Sequence, residues 1–355
     1  MKLEDLGYNS DLETYRQNQQ LEQFGVARVI TEHKERYQLL TETGEFEGIL
    51  LGQLRFNAES REDFPAVGDW VAISPYDEGK VLIHAIFPRY ATLERQTVGK
   101  SGQKQIIGTN IDYGLIVQAV GQDFNLNRLE RYLTICNNAK VRPIIILSKI
   151  DLVDKVTLNS LIEQIHQRIP DIPLFPICNL DQKGYDLLKP QIQAGKTYCL
   201  LGSSGVGKSS LINALAGEDI METSAISAQL QKGKHTTTHR SLSVLKNGAI
   251  LIDNPGMREI GLTDAQSGLS QTFEDIENFA QNCKYKDCQH TSENACAVLE
   301  ALDNGDLDLA AYDNYQKMKR EQTHFSASIE EKRRKDKAFG KMIKQVVKHR
   351  KRDKF

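Results

Sequence analysis

With 355 residues, 40% of them hydrophobic, the chain is too long for one ordinary domain and apolar enough to bury two or three cores. Its 45 Lys and Arg against 47 Asp and Glu leave a formal net charge of -2, which excludes a uniformly basic nucleic-acid binder. No apolar run approaches the ~18 residues of a membrane span.

The average charge hides an asymmetry. From Lys332 to Lys354 the chain is densely cationic, so the remainder is acidic. A solvated helix face and a tail that touches phosphate backbones both fit such a run. The N-terminus lacks the apolar core of a signal peptide, so a cytoplasmic protein with no membrane contact is expected. In that compartment Cys136, Cys178 and Cys199 read as isolated thiols, whereas Cys283, Cys288 and Cys296 lie close enough to suggest a metal.

Residues 1–22 are polar, with a short helix at most. Five short strands follow: Val26 to Ile30, Tyr37 to Leu40, Glu45 to Leu50, Trp70 to Ile73 and Val81 to Ile86. Turn signals separate them, which fits a small barrel of the oligonucleotide-binding (OB) type, although an SH3-like barrel has a similar pattern. Residues 94–109 are polar and aperiodic and read as a linker. The texture then alternates between strand and helix. Strands are predicted at Asp112 to Val120, Arg142 to Leu147, Leu174 to Cys178 and Thr197 to Leu201, with helices at Leu126 to Asn138 and Thr157 to Arg168. This βαβ rhythm predicts a mainly parallel sheet covered by helices. Beyond Gly256 the pattern turns helical, and a long charged helix starts near Leu307.

Gly202-Ser203-Ser204-Gly205-Val206-Gly207-Lys208-Ser209 satisfies the GxxxxGK[ST] pattern between an apolar strand and a helix that begins at Ser210. Its glycines let backbone N–H groups converge on phosphates, and the helix N-terminus adds positive potential. Lys208 would bridge the terminal phosphates and the Ser209 hydroxyl would ligate Mg²⁺. The loop alone leaves an ATPase or kinase open.

Ser148-Lys149-Ile150-Asp151, at the end of a buried strand, has the layout of the guanine-reading box Asn-Lys-x-Asp. Asp151 would accept from N1–H and the exocyclic amine of guanine, donors that adenine lacks there. Lys149 would lie along the base. Ser148 in place of Asn removes an amide able to tie the box to neighbouring loops. Cys178-Asn179 occupies the place of a second base loop; a plain strand end with a core Cys reads equally well. Both elements precede the phosphate loop, so the nucleotide domain is expected to be circularly permuted.

Gly233-Lys234-His235-Thr236-Thr237-Thr238 lies where a first switch belongs, and Thr237 is assigned to the Mg²⁺ shell. Asp253-Asn254-Pro255-Gly256 matches the DxxG box: Asp253 would hold Mg²⁺ through water, and the Gly256 N–H would meet the γ-phosphate. Met257 stands where many GTPases place a water-orienting Gln, so His235 is the candidate substitute. Finally, Cys283-x4-Cys288-x-His290-x5-Cys296 supplies three thiolates and an imidazole, a closed set suited to one structural Zn²⁺.

Together these motifs, with Val67-Gly68-Asp69-Trp70 in the barrel, resemble the RsgA (YjeQ) family of circularly permuted GTPases over nearly the whole chain. The resemblance implies an N-terminal OB-type β-barrel, a central α/β permuted P-loop GTPase and a C-terminal, mainly helical zinc-binding domain. The corresponding division is an extension over 1–22, the barrel over 23–97, the GTPase over 104–262, the zinc domain over 263–325 and a basic tail over 326–355. It also implies GTP/GDP with Mg²⁺ as ligands and hydrolysis stimulated by the small ribosomal subunit, whose rRNA would be the partner of a monomer. A nucleotide-gated RNA-binding module with incidental hydrolysis is the alternative that Met257 favours.

Overall fold

The computed structural model describes residues 1–33, 36–96, 104–217, 241–253 and 266–326. Strands β1 (Gly25–His33), β2 (Arg36–Thr41), β3 (Gly44–Leu50), β4 (Trp70–Asp77) and β5 (Lys80–Ile86) run in the order β1-β2-β3-β5-β4. A β1–β4 pairing closes the circle, and β3 and β5 are parallel while the other pairs are antiparallel. This is the five-stranded Greek-key barrel expected from the turn spacing. Ala27, Val29, Leu39, Val71, Ile73 and Ile83 fill it, because alternate strand residues face inward. A short helix, α1 (Ser10–Asn18), follows the first turn and places Leu12 beside Leu6, Tyr8, Trp70 and Phe87 on the barrel's outer wall.

The described residues of the 94–109 stretch are strands rather than an aperiodic linker. Strands β6 (Thr92–Gln96) and β7 (Lys104–Thr109) form an antiparallel ribbon, with Leu93, Ile106 and Ile107 buried. Their apolar residues cluster at the outer ends of the stretch, so the polar middle dominated its sequence pattern.

The nucleotide sheet comprises β8 (Tyr113–Ala119), β9 (Arg142–Ser148), β10 (Leu174–Pro176), β11 (Thr197–Leu201), β12 (Ser241–Val244) and β13 (Ile250–Asp253). Its order is β10-β9-β8-β11-β13-β12; all neighbours are parallel except the antiparallel pair β12–β13. Helices α3 (Leu126–Asn138) and α4 (Lys155–Arg168) pack on one face. Helices α5 (Tyr185–Leu188) and α6 (Lys208–Ala216) cover the other. Alternate residues such as Ile116 and Val117 therefore enter different cores. A further short helix, α2 (Gly52–Asn57), follows β3.

Beyond the nucleotide sheet come α7 (Gln266–Thr272), α8 (Glu274–Ala280), α9 (Ala297–Asn304) and α10 (Leu309–Ser326). Leu269, Phe273, Val298, Tyr315 and Met318 share one continuous core with Leu129, Leu133 and Cys136 of α3. The helical region thus uses the nucleotide sheet's helix layer as its own floor.

Among the described residues two features join the barrel to the nucleotide sheet most directly. Thr31 of β1 pairs with Ser241 of β12, which makes one eleven-stranded sheet. Behind this seam Arg28 is 1% exposed. Its guanidinium donates to Gly68 O (3.3 Å), Leu6 O (2.5 Å), Asn110 O (3.2 Å) and Thr197 Oγ1 (2.9 Å). Burial lowers its pKa to about 10, still cationic at neutral pH. Gly68 sits at φ +97°, and a Cβ there would lie 2.3 Å from Thr109 O, so only glycine lets the barrel approach this closely. Next to it, buried Asp69 takes two hydrogen bonds from Arg89 (2.9 and 2.7 Å) and one from Ala66 N (2.8 Å).

Replacing Arg28 by Met takes the donor from the Leu6 carbonyl, while Gly68 O keeps Asn110 Nδ2 and Asn110 O keeps the Tyr90 hydroxyl. We expect Arg28→Met to lower stability by about 3 kcal/mol, read as a reduced midpoint in urea; an unchanged midpoint would show that the seam does not depend on it.

Candidate nucleotide and metal sites

Parallel α/β sheets bind ligands at the carboxyl ends of their strands. The phosphate loop leaves β11 at that edge, in mid-sheet, and enters α6. Gly207, the residue before α6, has φ +94°, and a Cβ on it would stand 2.6 Å from Asn179 Nδ2. Lys208 opens the helix, and its Nζ donates to Gly202 O (2.7 Å) and Ser203 O (2.5 Å). Val206 is buried, Ser204 and Gly205 are exposed, and Ser209 and Ser210 occupy the first turn of α6.

The candidate guanine-reading box lies two strands away, at the end of β9, and is tied directly to this loop. Ser148 is fully buried; its hydroxyl contacts Val206 O (2.6 Å) and Gln118 O (3.3 Å). Ser148 lacks the amide that Asn would bring, yet its hydroxyl ties the box to the phosphate loop. A hydroxyl is shorter than an amide, but β9 brings it within reach of the phosphate loop. Lys149 turns the chain at φ +60° into a short 3-10 turn, Ile150–Leu152. Asp151 lies at the surface, where its Oδ1 accepts from the Cys178 thiol at 3.2 Å. Burial raises the Cys178 pKa, so the thiol keeps its proton to donate.

Asn179 completes the link. Its Nδ2 donates to Gly207 O (3.2 Å) and its Oδ1 accepts from Tyr185 OH (2.7 Å). Hydrogen bonds and adjacent residues thus run from Asp151 through Cys178 and Asn179 to Gly207 and Lys208. Early and late parts of the chain converge on one edge of the sheet. Asp253 ends β13 just beyond Ile252, which pairs with Cys199 of the loop's own strand. His235, Thr237 and Gly256 lie outside the described residues.

Four contributors escaped the sequence reading: Gln118, Tyr132, Tyr185 and Arg128. Gln118 receives Ser148 through its carbonyl, and Tyr185 orients Asn179. Arg128 Nη1 donates to Ser203 Oγ at 2.9 Å, and Tyr132 hydrogen-bonds to the same side chain. None belongs to a motif. Only Arg128 leaves a sequence signal, as a cation in the first turn of a helix, where the dipole favours acids.

At the far end, Cys283, Cys288, His290 and Cys296 place their ligand atoms within 4.8 Å of one another. Cys283 Sγ and Cys296 Sγ are 3.8 Å apart, and each lies 3.5 Å from His290 Nδ1. Tetrahedral zinc with bonds of ~2.3 Å to sulfur and ~2.05 Å to nitrogen requires edges of about 3.8 and 3.5 Å. The donor set fits that ion. Burial, reinforced by the charge of Lys319, lowers the His290 pKa and favours the neutral imidazole a metal needs. The exposed Glu293 carboxylate accepts from the N–H groups of Gln289, Thr291 and Ser292, which shapes the loop between ligands.

Two tests follow from this geometry. Ser148→Ala leaves the buried Val206 carbonyl without this donor and is expected to weaken guanine-nucleotide binding about tenfold, measured by fluorescent-nucleotide titration; unchanged affinity would remove Ser148 from the site. Chelation under denaturing conditions should release one zinc per chain, detected by a chromogenic chelator, and Cys296→Ser should release none.

Comparison with known proteins agrees with this architecture. A family model described as RsgA GTPase matches residues 86–263, and one described as 50S ribosome-binding GTPase matches 197–331. A Listeria innocua protein named "Small ribosomal subunit biogenesis GTPase RsgA 1" is 44% identical over 84% of this chain and 83% of its own. A Bacteroides thetaiotaomicron protein of the same name is 37% identical over 97% and 96%. Among solved structures, YjeQ from Thermotoga maritima superposes with TM-score 0.62 at 23% identity, covering 83% of this chain and 96% of that one. YloQ, titled a circularly permuted GTPase, gives TM-score 0.62 at 24% identity, covering 86% and 97%. These two likenesses concern the fold. The sequence relatives reach further, and with them the chain belongs to the RsgA family of GTPases.

Proposed function

We propose that this GTPase acts in biogenesis of the small ribosomal subunit, binding that particle and coupling GTP hydrolysis to a late maturation step and to its own release. The observation that carries the nucleotide reading is the run of contacts from Asp151 to Lys208, which assembles a base reader and a phosphate cradle from distant segments. The choice of particle rests on the names of relatives that span most of the chain. The model whose description mentions the 50S particle matches only 197–331.

In this reading Asp151 accepts from guanine N1–H and N2–H, with the Cys178 thiol holding one carboxylate oxygen in place. Lys149 lies along the base, and Ser148 and Asn179 keep base box and phosphate loop in register. The N–H groups of Gly202 to Ser210 and the Lys208 ammonium receive the phosphates. Ser209 and Thr237, with Asp253 through water, would hold Mg²⁺, which neutralises charge on the transferring phosphoryl group. Gly256 N–H would sense the γ-phosphate. Met257 has no group to orient water, and His235 takes that role. Cys283, Cys288, His290 and Cys296 would hold a zinc ion that is purely structural, all four positions being protein ligands. The protein works as a monomer in the cytoplasm, with Lys284 and Tyr285 beside the metal loop and the 326–355 tail offering charge and an aromatic surface to rRNA.

Turnover of GTP measured with purified small subunits, large subunits or neither tests the assignment. At least tenfold stimulation by small subunits alone is expected; equal stimulation by either particle, or none, overturns it. Base reading has its own test. Asp151→Asn should lose GTP binding about a hundredfold and gain xanthosine triphosphate, whose C2 carbonyl accepts from the new amide. Equal loss of both nucleotides would remove Asp151 from base reading.

A further inference from the structure

Arg128 occupies the third position of α3, in a first turn that Asn125 caps by accepting from the Arg128 N–H at 3.0 Å. A cation there opposes the helix dipole, so something else must hold it. Its Nη1 lies 2.9 Å from Ser203 Oγ and 3.5 Å from Asp123 O. The Ser203 carbonyl, in turn, receives Lys208 Nζ. One residue of the phosphate loop is therefore held by Arg128 on its side chain and by the phosphate-binding lysine on its backbone.

The same two turns of α3 grip the C-terminal helix. Asn314 of α10 donates to Asn127 O (3.2 Å) and to Glu130 Oε2 (2.5 Å). Glu130 is 2% exposed, and Arg168 of α4 donates to both its oxygens (2.6 and 2.9 Å) and to Asn127 Oδ1 (2.7 Å). Arg131 forms two hydrogen bonds to Glu321. From the same helix Tyr312 OH donates to His290 O, and Gln316 Nε2 donates to Gln289 O at 3.0 Å. The path from phosphate loop to metal loop thus consists of buried or half-buried hydrogen bonds between rigid helices.

We propose that Arg128 is a positioning residue for GTP binding and hydrolysis, acting through Ser203, and that α3 couples the phosphate loop to α10 and the metal loop. The inference rests on the nucleotide-site reading above. Arg128 fixes the peptide against which Lys208 leans. A displacement of Ser203 by an incoming triphosphate would be passed along α3 to Asn314 and Glu321. By reciprocity, contacts made by the helical region would alter nucleotide affinity by the same factor.

The test uses the full-length protein. Dissociation constants for GDP and a non-hydrolysable GTP analogue, together with kcat and KM, are measured for Arg128→Ala, Ser203→Ala, their double variant, Arg128→Lys and Asn314→Ala. Thermal melts accompany each. Arg128→Ala and Ser203→Ala should each weaken analogue binding about tenfold. The double variant should be no weaker than the worse single variant, because both remove one interaction. Arg128→Lys should recover part of the loss and Asn314→Ala should weaken binding about threefold despite its place on α10. Additive losses, or an Arg128→Ala protein within twofold of the parent, overturn the positioning role. Should Arg128→Ala fail to fold, Ser203→Ala within twofold of the parent does the same. An Asn314→Ala protein with parental affinity overturns the coupling. Failure of the underlying nucleotide reading would look different, since the parent itself would not bind guanine nucleotides.

Discussion

The architecture depends on one buried cation. Among the described residues Arg28 has no carboxylate within hydrogen-bonding reach; neutral acceptors from three separate segments and a threonine hydroxyl surround it. Its ring-facing side is equally occupied, with the guanidinium carbon 5.4 Å from the Trp70 ring centroid. A dehydrated charge whose direct partners are all dipoles, with Asp112 and Asp69 attracting it from further off, has little tolerance for displacement. Leu6, Gly68, Asn110 and Thr197 are consequently held in one arrangement. Thr197 begins the strand that ends in the phosphate loop, so the barrel and the nucleotide edge are parts of one rigid frame.

Permutation is compatible with that frame because a parallel sheet is indifferent to the order in which its strands are made. The three strands β8, β9 and β10 precede β11, yet they occupy one half of the sheet and β11, β13 and β12 the other. What binding requires is spatial adjacency at the carboxyl edge, and Ser148, Cys178 and Asn179 supply it with short polar side chains. The permuted order also puts the end of β13 nearest in sequence to the helices around the metal loop.

Much of this was legible in advance, for a physical reason. The candidate phosphate loop, base box and metal ligands are contiguous or nearly so, and the chemistry they would serve fixes residue types at fixed spacing. The barrel strands carried period-two alternation between clear turns. By contrast, Arg28, Arg128 and Glu130 act across 22 to 184 residues, and nothing local distinguishes them from ordinary surface charges. The same holds for Ser148, whose partner Val206 is 58 residues away. The 94–109 ribbon was missed because a two-stranded ribbon packed at its ends shows little periodicity. β12 has only four residues, too few for a pattern.

The pairing of Thr31 with Ser241 carries a consequence for association. A sheet with bare margins offers unpaired amides and carbonyls to any passing strand. Here the barrel closes on itself and its Thr31 pairs with Ser241 on the four-residue β12 margin, while the opposite margin, β10, is three residues long and ends in Pro176, which has no amide to donate. Among the described residues both margins of the sheet are therefore too short to template a long added strand.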